Sequence, residues 1–152
     1  MALTLEHVTS VVNALIDDVV ASLGCSADVA TDAVLAEALS ILSWMDDDLG
    51  DTFFAIKLGD DVQQYFHDRF VDTTWPACPD HPNHPLDFKG EPMTWTCPTT
   101  HESKCSLGNL GDVALPPVDA AAATALAVLV SSRRDELRRR WSDQRQRLGE
   151  SA

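Results

Sequence analysis

Basic residues are scarce in this chain. Its 152 residues carry 11 Lys and Arg against 24 Asp and Glu, a formal net charge of −13. Before Ser131 the only cations are Lys57, Arg69, Lys89 and Lys104, which leaves that stretch at −16, whereas the remainder sets seven arginines against four acids. A body this acidic repels phosphate, so a nucleic-acid partner is disfavoured and the Arg-rich tail is a weak candidate for one. Such a split points to a basic tail that meets the acidic body or an acidic partner, or to an arginine-rich helix in solvent.

Long apolar runs are missing as well. The longest, Val118 to Val130, contains Asp119 and falls short of the ~20 residues a membrane span needs. Met1 to His7 lacks a basic region and Asp17-Asp18 breaks the apolar pattern that follows, so neither a secretory signal nor a membrane partner is expected. The chain has no phosphate-cradling loop, dinucleotide fingerprint, G-x-S-x-G elbow or H-E-x-x-H helix, and no H-x-E paired with P-C-x-x-C. Asp46 to Asp51 looks like a calcium loop at first sight. Counting from Asp46, however, Asp51 stands where such a loop needs Gly, and Lys57 where it needs a bidentate Glu.

Hydrophobic residues make up 45% of the chain and charged residues 23%, enough to pack the core of one domain with a small appendage. Val8, Val12, Leu15, Val19 and Leu23 recur at helical spacing between a capping Thr4 and a stop at Gly24. Residues 31–40 read equally as helix or strand. Ser40 to Trp44 and Thr52 to Leu58, separated by the turn Asp46 to Asp51, read as a β-hairpin on residue preference. A short helix follows from Asp60 to Val71, with Val62, Tyr65, Phe66 and Phe70 inward. Pro116-Pro117 and Asp119 introduce a long C-terminal helix reaching about Leu148, with Leu126, Val130, Leu137, Trp141 and Leu148 near one face. The expected class is α+β, divided into a body (1–73), an inserted module (74–111) and the C-terminal helix (112–152), which packs on the body or on another chain.

The module carries the chemistry. Cys78, His81, His84, Cys97, His101 and Cys105 fall within 28 residues, among prolines and tryptophans. A structural zinc takes four N or S ligands as two short-spaced pairs, and Cys78-x2-His81 has the spacing that lets one tight turn aim both side chains at an ion. Leu86-Asp87-Phe88 and Met93-Thr94-Trp95 read as a hairpin that returns Cys97 to Cys78. The fourth ligand stays open, in the order His84, Cys105, His101. Thiols gathered with histidines indicate metal rather than disulfides, hence a reducing compartment and a cytoplasmic location.

The two Cys-Pro starts, Cys78-Pro79 and Cys97-Pro98, with the Cys78-x2-His81 pair and the hairpin between them, resemble a zinc-ribbon module. The run from Trp75 to Leu86, with Trp95-Thr96-Cys97-Pro98 downstream, also looks like one found in small bacterial proteins. The resemblance implies a structural metal and no activity; with His84 first among the open choices, the zinc ligands expected from the spacing are Cys78, His81, His84 and Cys97. The function expected is that of a non-enzymatic interaction or assembly module. Trp75, Trp95 or the long helix would meet a protein partner, and self-association through that helix is an option. A zinc-dependent hydrolase using Asp80 or Glu102 as base is the alternative.

Overall fold

The computed structural model describes residues 2–69, 71–117 and 119–149, without the side chain of Asp47. Its class is α+β: the described residues form five α-helices and one antiparallel three-stranded sheet. Helix α1 (Leu5–Leu23) begins where Thr4 Oγ1 accepts from the His7 amide at 3.2 Å. It ends at Gly24, whose φ of 67° is the left-handed conformation that closes a helix. Val8, Val11, Val12, Leu15, Val19 and Leu23 form its buried stripe.

Helix α2 (Ala27–Trp44) is capped by Ser26, and its neighbours are α1, the following helix α3 and the C-terminal helices. A helix covered on several sides needs apolar residues nearly all round, so it lacks one clean stripe. This accounts for the ambiguity of residues 31–40. It also corrects the expected hairpin: Ser40 to Trp44 complete α2, and Thr52 to Leu58 lie in α3 (Gly50–Asp68). Helix α3 also contains most of the short helix expected from Asp60. Strand preference loses there because Phe54, Ala55, Leu58, Val62 and Phe66 share one helical face and bury it. Phe70 lies outside the described residues.

Strands β1 (Asp87–Gly90) and β2 (Met93–Thr96) form the expected hairpin, pairing Phe88 with Trp95 and Gly90 with Met93. A third strand, β3 (Ser103–Ser106), pairs Trp95 with Cys105 on the other side of β2. The sheet lies against α3, where a Cβ added at Gly59 would stand 2.6 Å from the Phe88 ring. Trp95 is fully buried, edge-on to Trp75 (5.5 Å between centroids) and to Phe88 (5.2 Å), and Trp75 in turn meets Phe66 at 4.7 Å. Trp75 and Trp95 therefore build the seam between module and helices. The expectation that they meet a partner is overturned, because burying them contributes more than leaving such large rings in water.

After Pro116-Pro117, Asp119 caps α4 (Ala120–Val130), and a 3-10 turn leads into α5 (Arg134–Arg147). Leu126, Val130 and Leu137 are buried as the spacing predicts, with Trp141 and Leu148 packed alongside. The basic helix meets the acidic body. Arg134 Nε and Arg138 Nη2 reach the fully buried Asp32 carboxylate of α2 at 2.9 and 3.3 Å. No helix among the described residues is long and apolar enough to cross a membrane.

Candidate metal centre

Two loops are folded back at the same end of the sheet. In the first, Leu86 N–H donates to Pro76 O at 2.7 Å and Cys78 N–H to His84 O at 2.9 Å, so residues 76–86 close on themselves. Prolines at 79, 82 and 85 exclude a helix there, and the His81 amide turns back to Cys78 O at 3.2 Å. Helix α3 secures the loop from below. Gln63 Nε2 donates to the carbonyls of Trp75 and Leu86 at 3.2 and 2.7 Å, and His67 Nε2 lies 3.0 Å from Trp75 O.

The second loop joins β2 to β3. The ladder loses register between Trp95 and Thr96, and Cys97 N–H donates to Glu102 O while His101 N–H donates to Cys97 O, both at 2.9 Å. His101 has a φ of 62°, a left-handed backbone at a residue other than glycine.

These turns bring Cys78, His81 and Cys97 together, with one ligand atom from each lying within 4.8 Å of the other two. His81 Nδ1 stands 3.6 Å from Cys78 Sγ and 3.4 Å from Cys97 Sγ. A tetrahedral zinc with Zn–S of about 2.3 Å and Zn–N of about 2.05 Å sets an S···N edge of about 3.5 Å. Both thiols are fully buried, and His81 is half-buried. The Cys97 thiol is held down to about 6, first by the Thr100 side chain and then by the Thr100 amide, which lies 3.4 Å from the sulfur. It therefore favours the thiolate, the form that binds metal.

The remaining expected ligands fall elsewhere. His84 is exposed and holds the first loop through its backbone, and His101 is exposed at the second turn. Cys105 pairs with Trp95 in the sheet, and its thiol is pushed up to about 11, first by burial and then by the charges of Asp18 and Asp112. Among the described residues no fourth Cys, His, Asp or Glu joins the three at that spacing.

Sequence reasoning missed two residues that position this centre. Lys104, largely buried, ion-pairs with Asp80 on the first loop and with Glu102 on the second (3.5 Å), tying the loops together. The hydrogen bond and charge of Lys104 hold the Asp80 carboxyl below its usual range. As one of four cations before Ser131, set between Glu102 and the loop, it offered a weak signal.

The second is Asp18, fully buried on α1. It accepts from Trp95 Nε1 at 2.8 Å, Gly108 N–H at 2.9 Å and Leu110 N–H at 3.0 Å. Beside it, Trp75 Nε1 donates to Ser22 Oγ at 2.6 Å. An acid at a core position of an amphipathic helix was the signal for Asp18.

Comparison of the chain with protein-family models, curated proteins and solved structures finds no match.

Proposed function

We propose that this is a non-enzymatic zinc-binding protein, in which a structural metal on Cys78, His81 and Cys97 holds a ribbon-like module that serves protein interaction. The observation that carries the reading is the pair of S···N separations, 3.6 and 3.4 Å, at the edge length of a zinc tetrahedron. The ion would join two loops that otherwise rest on few aliphatic side chains, so its binding free energy becomes folding free energy. The fourth position falls to an exposed histidine of one of these loops, His84 or His101. Thiolate ligands suit a reducing compartment, and the cytoplasm is the proposed location.

A hydrolytic zinc needs an open position and a free carboxylate base. That alternative is less well supported, because Asp80 and Glu102 both face Lys104. In addition, the adjacent cavity of about 150 Å³, between Ser22, Trp75, Pro82 and Pro116, is lined by none of the three donors. The test is metal analysis of the purified protein with cobalt substitution. One equivalent of metal and a four-coordinate thiolate–cobalt spectrum, lost in Cys97→Ser, are expected. A metal-free protein that unfolds identically with and without added zinc overturns the reading.

A further inference from the structure

Most of the large apolar side chains are inside, yet Trp44, Leu49 and Ile56 are 54%, 48% and 38% exposed. They are not scattered. Leu49, the helically disposed N-cap of α3, and Phe53 and Ile56 in its first turns follow one another at steps of four and three residues, which places them on one helical face. Trp44, the last residue of α2, stands edge-on to Phe53 with centroids 6.2 Å apart. At its far end the stripe reaches the sheet, where a Cβ on Gly90 would run into Ile56. Isolated exposed hydrophobes need no explanation, but a contiguous aromatic and aliphatic patch marks an interaction surface.

The charges beside the patch are mainly acidic. Asp46 follows Trp44 by two positions, Asp48 adjoins Leu49, and Asp60 stands one turn beyond Ile56, all three exposed. Asp87 of β1 adds to the field at Asp60, where Lys89 is the one cation of that strand. Lys57, on the same helix, is already paired with Asp61 at 2.7 Å. A second copy facing this patch about a two-fold axis would oppose acid to acid. The chain's own basic helix has Arg134 and Arg138 engaged with Asp32.

We propose that the Trp44–Leu49–Phe53–Ile56 face docks a basic amphipathic helix of another polypeptide, its apolar side chains on the Trp44 and Phe53 rings and its Lys or Arg heads against Asp46, Asp48 and Asp60. This names the partner chemistry for the interaction role proposed above and rests on that reading, but the surface lies on α2 and α3, not on the metal loops.

The test is calorimetric titration of the full chain with a synthetic amphipathic Leu/Lys helix of about 18 residues, beside a Leu/Glu counterpart. The Lys peptide should bind, weakening about tenfold or more in Trp44→Asp and in Leu49→Asp, as loss of a central apolar anchor does. Salt of about 0.5 M should weaken it too. The Glu peptide should not bind, and Val128→Asp, on α4, should behave as wild type.

No binding by the Lys peptide, or binding unchanged in both patch variants, overturns the proposal. So does a wild-type dimer that Trp44→Asp converts to monomer, which would make the occupant a second copy. Metal content measured on the same preparations separates the two readings. Zinc-free protein that binds the peptide sinks only the metal, and zinc-loaded protein that ignores it sinks only this surface.

Discussion

Trp95 and Asp18 are 77 positions apart in sequence, yet the indole Nε1–H of one donates to the carboxylate of the other at 2.8 Å inside the core. This bond fastens β2, the central strand of the sheet, to the first helix. Asp18 Oδ2 also accepts from Gly108 and Oδ1 from Leu110, so one buried carboxylate serves three donors.

Asp18→Asn keeps the shape but has one acceptor oxygen in place of two, and its amide must face a donor. Leaving a buried N–H unpaired costs about 1–3 kcal/mol, which urea unfolding would register. The pH dependence has a definite sign. Burial raises the Asp18 pKa from its ordinary 3.8 against the pull of its donors, so the folded state holds the proton more tightly. The wild type's advantage over Asp18→Asn is therefore greatest near and below the unfolded pKa and shrinks as pH rises through the folded one. An advantage that grows with pH would refute the burial account.

Gly59→Ala sets two effects against each other. Alanine favours a helix by about 1 kcal/mol over glycine. The new methyl, however, would sit 2.6 Å from the ring of buried Phe88, and overpacking costs about 1–3 kcal/mol. The clash should win, lowering stability by up to about 2 kcal/mol; a thermal melt shows which term dominates.

The clasp between α2 and α5 should respond asymmetrically. Replacing Arg134 and Arg138 together with Met strands the fully buried Asp32 carboxylate. The loss should approach about 3 kcal/mol. Asp32→Asn leaves two arginines that are each more than a third exposed, which water solvates, so about 1 kcal/mol is expected. Equal losses in denaturant titrations would mean that the ion pairs contribute little.

Cys97→Ser and His81→Ala should each weaken zinc binding more than about a hundredfold, beyond what loss of a partner to a ligand costs. Chelator should lower the melting temperature of wild type and leave these variants unmoved. Of His84→Ala and His101→Ala, one should reproduce part of that loss and so identify the fourth ligand. His101 has its left-handed backbone in favour of that role, His84 its place within the first loop.

Parts of the fold were legible because their signals are local. A Thr cap, a Gly stop and an apolar step of three or four define α1 without reference to anything distant, and the Cys78-x2-His81 spacing defines a knuckle in the same way. Leu86 to Trp95 read correctly as a hairpin for a similar reason, since turn residues and strand formers sit within a few positions. Residues 40–58 misled because their local preference favours strands, whereas their state is set by burial against α1 and the sheet. The two loops were half legible: Cys78, His81 and Cys97 come together, but Cys105 is carried away by its pairing with Trp95 in an unforeseen third strand.

Composition and short-range spacing by themselves determined an acidic body, a basic tail, an α+β class and a cluster of thiols and imidazoles suited to one ion. Only the tertiary structure decided that the tail clasps the body through Asp32, that both module tryptophans face inward, that Asp18 ties β2 to α1, and that Lys104 joins the two loops. Caps, turns and ligand pairs depend on neighbours a few bonds away. The partner of a buried charge or ring is chosen by which distant surfaces leave water together.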